Sequence, residues 1–195
     1  MVKHLFQSKP LSWSSIASFE YSPEQWARKY VDGIIDPSNA SMSFGNEIGQ
    51  RLAREPDFLP DVKRYSVFEQ CLTGKIDDIQ LIGFLDTFDP ITKNFNEFKT
   101  SSNKKKWTKK SAQAHRQLLM YMFLIWRNYG VPPEKLSPSL FYIPVEEHSD
   151  FTMKVSEAKV QEFVVKHTTL ELLQFANHVK EVYKEMILFA NEYKK

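Results

Sequence analysis

Apolar residues recur along the chain with two different periods, and the period changes near Pro60. Up to that point the spacing is helical. Leu11-Ser12-Trp13-Ser14-Ser15-Ile16 offers hydroxyls that can cap a helix, with Ile16 and Phe19 on one face of the turn that follows. Ser22-Pro23-Glu24-Gln25 restarts a helix, with Ser22 at the N-cap, Pro23 in the first helical position and Gln25 in the capping-box position. Trp26 and Tyr30 then share a face, and the helix is expected to stop near Gly33. A third helix is predicted from Ser43 to Arg54, where Phe44, Ile48 and Leu52 fall four apart, ended by Pro56.

Beyond Pro60 the pattern predicts strands at Val62 to Glu69, Cys71 to Ile76, Ile79 to Phe88 and Phe95 to Thr100, punctuated by turn residues, as a consecutive antiparallel sheet. A loop, Ser101 to Lys110, leads into the strongest helical pattern, Ser111 to Tyr129, ended by Gly130 and Pro132-Pro133. Leu118, Leu119, Met122, Phe123, Ile125 and Trp126 give it an apolar face wide enough to pack across the sheet. Leu140 to Val145 and Phe151 to Val155 read as two more strands, and Glu157 to Tyr193 as one or two closing helices. There are no repeats and no low-complexity segment.

These 195 residues suffice for one domain, with helices over 1–60, a sheet and long helix over 61–130, and closing elements over 131–195. Four Trp, eight Tyr and fifteen Phe argue against disorder. A formal charge of +2 is too small to imply polyanion binding through the net field, so any such role depends on where the basic residues lie. The single cysteine, Cys71, rules out an intramolecular disulfide and suits a reducing cytoplasm. No N-terminal signal pattern and no membrane-length apolar run is present, so a cytoplasmic protein without a membrane partner is expected.

Candidate chemistry lies in the hairpin formed by Gly83-Phe84-Leu85-Asp86 and Glu97-Phe98-Lys99. A turn over Pro90 to Lys93, centred between Ile91 and Thr92, sets Asp86 opposite Glu97, with Cβ atoms about 5 Å apart on one face. Lys99 projects from that face and Phe98 from the other. Two opposed carboxylates repel unless a cation lies between them, and Mg²⁺ or Mn²⁺ suits such hard oxygen ligands. The ion would polarise a phosphoryl oxygen and acidify a bound water, with Lys99 orienting that water or neutralising developing charge. The bare spacing is common, and the same residues equally fit surface charges on a polar sheet face.

Other motifs surround this one in a telling order. Leu11-Ser12-Trp13-Ser14-Ser15-Ile16, Tyr21-Ser22-Pro23, Gly83-x-x-Asp86, Glu97-Phe98-Lys99-Thr100-Ser101 and Gln117-Leu118-x-x-Tyr121 follow one another along the chain. In that order the sequence resembles the RecB-like branch of the PD-(D/E)XK nucleases, which includes recombination and CRISPR adaptation nuclease domains. The resemblance implies an α/β (α+β) restriction-endonuclease-like core, a mixed central sheet flanked by helices. It also implies Asp86, Glu97 and the Phe98 carbonyl as metal ligands, Lys99 as the catalytic lysine, and Gln117 and Tyr121 as DNA-holding residues. Gln117 and Tyr121 do share a helix face. The family histidine of the third helix is replaced by Gly49, which leaves Glu47 as a substitute ligand or an ordinary exposed carboxylate, with Gln50 in reach of a metal-bound water. Without further cysteines, no iron–sulfur cluster is expected.

Lys104, Lys105 and Lys106, beside Trp107, suit phosphate contacts and stacking of an unpaired base, although such runs are also common in solvated loops. The expected function is a Mg²⁺- or Mn²⁺-dependent deoxyribonuclease, an exonuclease on single strands or duplex ends in repair, recombination or mobile-element replication. Any helicase partner would be a separate chain. The alternative is a nuclease fold that has lost catalysis and serves as a DNA-binding or protein-interaction module.

Overall fold

In a computed structural model of the chain, residues 5–35, 37, 39–103, 105–147 and 152–193 are described. A two-residue strand, β1 (Leu11–Ser12), runs directly into helix α1 (Trp13–Tyr21). Ser12 serves both, because its hydroxyl accepts the Ser15 amide at 3.3 Å and caps the helix. Ser22 in turn caps α2 (Pro23–Tyr30), accepting from the Gln25 amide at 3.3 Å. Helix α3 (Ala40–Arg54) starts earlier than the apolar spacing suggests, because Asn39 accepts the Met42 amide at 2.8 Å.

The sheet begins with β2 (Val67–Ile76), β3 (Ile79–Phe88) and β4 (Phe95–Ser101). Residues expected to form two strands before Ile79 instead make the single strand β2, whose Glu69 has a left-handed φ of 50°. β2 pairs along the whole of β3, from Ile76↔Ile79 to Val67↔Phe88. The other edge of β3 is divided. β1 runs parallel to it at Leu81 and Ile82, and β4 antiparallel to it at Thr87 and Phe88. Between them, Gly83 to Asp86 has no strand partner on that edge among the described residues.

Next come α4 (Lys109–Gln113) and α5 (Arg116–Tyr129), then β5 (Ser139–Glu147), β6 (Met153–Val155), β7 (Gln161–Val164) and α6 (Thr169–Tyr193). One helix was expected from Ser111 to Tyr129; the chain breaks it at Ala114 and His115, where the His115 backbone is extended. β5 joins β4 in parallel, from Asn96↔Ser139 to Ser101↔Pro144, so the sheet is mixed, as the resemblance implies. Both faces of a parallel pair are covered, and Ser139 to Val145 is buried throughout. Gln161 to Val164 reads as helix in the sequence, yet it forms the antiparallel partner of Ser139 to Tyr142. Phe151, expected to open a strand, lies outside the described residues.

Helices α1, α2, α5 and α6 share the main core with β3, around Trp26, Leu81, Leu85, Leu118 and Val179. Helix α3 covers the other face, where Ile48 and Leu52 meet Phe141 and Ile143. α5 approaches the sheet closely at Gly83, where a Cβ would lie 2.7 Å from Tyr121 Cε1 and 3.1 Å from Leu124 Cδ1. Gly83→Ala is expected to cost about 1–3 kcal/mol by overpacking, read as a lower urea midpoint. Among the described residues no helix is long and apolar enough to cross a membrane.

Candidate active site

Strands β3 and β4 part immediately beyond the Thr87↔Asn96 pair, and the chemistry expected of the hairpin lies in that fork. Past the last pair, the Phe98 amide turns to the Asp86 side chain, donating to Oδ2 at 2.6 Å. A carboxylate thus replaces a strand carbonyl, which leaves Asp86 fixed beside Glu97 while β4 swings away to β5.

Glu97 is 3% exposed. Its Oε1 accepts from Lys99 Nζ at 2.6 Å, whereas its Oε2 is buried with no hydrogen-bond partner. Lys99 Nζ also donates to Gln117 Oε1 at 2.9 Å, and Gln117 Nε2 donates to the Tyr121 hydroxyl at 2.6 Å. His115 Nε2 lies 3.2 Å from the same Gln117 Oε1. Since that oxygen only accepts, His115 must donate through Nε2. Burial, with the Lys99 charge, lowers the His115 pKa to about 4, so the ring is neutral at ordinary pH. The amide of Gln117 is therefore held from three sides, and it holds Lys99 in turn.

Burial raises the Asp86 carboxyl well above the usual range, and the Glu97 charge adds to the shift against the Phe98 amide and Lys99. Burial likewise raises Glu97, opposed by the Lys99 charge and hydrogen bond. For Lys99, burial alone would favour the neutral amine, but the charges of Glu97 and Asp86 outweigh it and keep the pKa above its ordinary value. Lys99 is a cation throughout the neutral range.

A third carboxylate joins the two expected ones. The β2–β3 register brings Glu69 level with Asp86, between the pairs Phe68↔Thr87 and Gln70↔Leu85. The Glu69 charge acts on both Asp86 and Glu97. Glu69, Asp86, Glu97, Phe98 and Lys99 line a cleft of about 750 Å³ roofed by α3 through Met42, Gly45, Asn46, Gly49 and Gln50. Glu47 is not on that roof. It is exposed on another face of α3, where its charge acts on Arg51, so the substitute ligand expected from the sequence is not in the cleft. Gln50 is, and Gly49 leaves open space there.

Among the described residues, no group of three or more His, Cys, Asp or Glu side chains could hold a metal ion by itself. The donors nevertheless fit a divalent ion. Glu97 Oε2 is left without a hydrogen-bond partner, one ammonium, Lys99, is shared by two carboxyls that burial raises, and hard ions need only one or two carboxylates besides water and substrate oxygens. The Phe98 residue that would offer its carbonyl lines the same cleft.

The basic run is divided. Lys104 lies outside the described residues, while Lys105 and Lys106 are exposed. Trp107 does not form an open stacking platform. It is 9% exposed, belongs to the main core and meets His115 edge-on at 5.1 Å. Tyr121 is 5% exposed beneath Gly83, and burial raises its phenol pKa, so it serves as a neutral hydroxyl.

The family model of the PD-(D/E)XK nuclease superfamily matches residues 50–194. The chain belongs to that superfamily. The span matched by the PD-(D/E)XK model contains Glu69, Asp86, Glu97, Lys99, Gln117 and Tyr121, and leaves Glu47 outside. Solved structures share the PD-(D/E)XK fold at low identity. A candidate exonuclease from Eubacterium rectale is 13% identical, with a TM-score of 0.57 over 94% of this chain and 82% of that one. An alkaline exonuclease from Laribacter hongkongensis is 13% identical, with a TM-score of 0.54 over 98% and 93%. A phage-related exonuclease from Haemophilus somnus 129PT is 13% identical, with a TM-score of 0.51 over 89% and 79%. No curated protein matches the sequence.

Proposed function

We propose that the chain is a Mg²⁺- or Mn²⁺-dependent DNA nuclease, an exonuclease acting in repair, recombination or the replication of phage and mobile-element DNA. The observation that carries this reading is the buried, unpartnered Glu97 Oε2 beside Asp86, in a fork that also holds a lysine. Membership of a nuclease superfamily supports the reaction class, and the exonuclease names of proteins with this fold support the mode.

A divalent ion at Asp86, Glu97 and the Phe98 carbonyl would polarise the phosphoryl oxygen and lower the pKa of the attacking water. The chain's own residues do the rest. Asp86 and Glu97 would hold such an ion, and Glu69, which lines the same cleft, would add a third carboxylate within reach of its surroundings. Lys99, which the neighbouring carboxylates hold above its ordinary pKa, would present an ammonium that stabilises charge on the phosphate and orients the nucleophile. Gln117 keeps that ammonium from collapsing wholly onto Glu97. Exposed Lys105 and Lys106 would meet the DNA backbone.

End-labelled linear DNA and a closed circle of the same sequence, each incubated with Mn²⁺, test the proposal. Labelled nucleotides should leave the linear form alone, and none should in EDTA. Glu69→Gln should lower the rate roughly 10–100-fold, as loss of an outer metal partner does, and Glu47→Gln should leave it unchanged. No release from any DNA with either metal would contradict the proposal and favour the non-catalytic module, for which the empty place at Gly49 speaks.

A further inference from the structure

Lys99 belongs to two clefts. Behind the acidic one lies a second, of about 780 Å³, set against the stretch of β3 edge that neither β1 nor β4 covers. Its volume is typical of sites for small organic groups, roughly 300–1,000 Å³. Its lining is chemically opposite to the first. Glu69, Asp86 and Glu97 line the acidic cleft, whereas this one has no carboxylate among its lining residues and carries Lys99, Lys106 and the hydroxyls of Ser12, Ser14 and Ser18.

Two aromatic rings in it are left in water. Tyr21, the last residue of α1, is 84% exposed, and Phe84, where β3 is paired with β2 alone, is 49% exposed. Neither contributes to the core, whereas of the cleft's other aromatics Trp107 and Tyr121 are buried and Trp13 is half-buried against the core. Cations, hydroxyls and solvent-facing π-surfaces without acidic groups are what a single nucleic-acid strand requires: phosphate is attracted and the bases find a face to stack on. A base inside a duplex is stacked on both sides and offers no free face of this kind.

We propose that the second cleft receives one unpaired nucleotide adjoining the phosphodiester at Lys99, with its base against Phe84 and Tyr21, so that the substrate is DNA with a single-stranded end. This rests on the nuclease reading only for the position of the phosphodiester. The occupancy of the cleft follows from its own lining. The strand would then pass Lys99 from the basic cleft to the acidic one, and duplex ends would need to fray before reaching it.

The test is equilibrium binding in EDTA, so that no cutting occurs, of a blunt duplex and of the same duplex bearing a single-stranded tail. Phe84→Ala and Tyr21→Ala should each weaken binding of the tailed duplex about tenfold, within the range measured for loss of one stacking ring, and change the blunt duplex less than about twofold. Phe84→Leu keeps apolar bulk without a π-face; paired with an unchanged melting midpoint, it separates stacking from folding and should weaken tail binding as the alanine does. A 2-aminopurine at the first tail position should be quenched by the native chain and not by the double variant. Equal losses on both DNAs, or quenching that survives in the double variant, would overturn the proposal. A chain that binds tails through Phe84 but never cuts keeps this inference and removes the nuclease reading. One that cuts with no dependence on either ring does the reverse.

Discussion

Replacing Lys99 with alanine is expected to slow metal-dependent cleavage by roughly 10²–10³-fold, the loss seen when one donor aimed at developing charge is removed. The ammonium lies 2.6 Å from Glu97 Oε1 and 2.9 Å from Gln117 Oε1, and the surrounding carboxylates keep it charged. Its removal leaves Glu97 buried without its cation, so Glu97 takes up a proton more readily and the fold survives by neutralisation. Substrate binding should weaken less than turnover, because Lys105 and Lys106 remain, and most of the loss should fall on kcat. Lys99→Arg should not restore activity, since a planar fork cannot occupy the position of a compact ammonium between one carboxylate and one amide. Single-turnover cleavage, with circular dichroism to monitor folding, measures this. A variant within a few-fold of the native rate would remove Lys99 from the mechanism.

Without metal, Asp86 and Glu97 should take stability from the fold as the pH rises from about 4 towards neutral. Asp86 and Glu97 are both raised, by burial first and by charge repulsion after it. Below the usual carboxylate range, about pH 4, folded and unfolded chains both carry these protons and there is no penalty. Above it the unfolded chain releases them while the folded chain keeps them, costing up to about 1.4 kcal/mol per group for each pH unit until the raised values are passed. A bound divalent ion removes the cause. The gain in melting midpoint on adding Mn²⁺ should therefore grow with pH, reaching roughly 5–10 °C at a hundredfold excess over Kd, and be smallest near pH 5. Melting curves in Mn²⁺ and in EDTA across pH 5–8 provide the check. A gain that is independent of pH would mean the ion does not bind these carboxyls.

The short turn over Pro90 to Lys93 made the register of the β3–β4 hairpin readable, because a tight loop leaves few alignments and the structure keeps the one it implies. Glu69 was readable by the same means from the turn at Asp77 and Asp78. It went unseen because two adjacent polar residues, Glu69 and Gln70, interrupt the apolar alternation, so the strand seemed to end there. Glu47 and Gln50 illustrate the converse. Linear proximity on α3 made both candidates, but about 100° of rotation per residue decides which meets the cleft, and only packing of Ile48 and Leu52 fixes that rotation. The break before α5 was invisible because no Pro or Gly marks it, and Ser111 to Gln117 holds only residues that a helix accommodates. Strand β7 was invisible because a four-residue segment carries too little period to compete with the helix that follows. Trp107, adjacent to lysines in sequence, turns inward where His115 and the main core receive it.

Calorimetric titration of the metal-free chain with Mn²⁺ at neutral pH, repeated on Asp86→Ala, addresses the carboxylate fork most directly. The native chain should bind the ion with release of protons, in larger number as the pH is lowered towards the raised carboxyl values, and Asp86→Ala should show no saturable binding. Equal binding by the two proteins, or none by the native chain, would contradict the assignment of Asp86 and Glu97 to a metal centre.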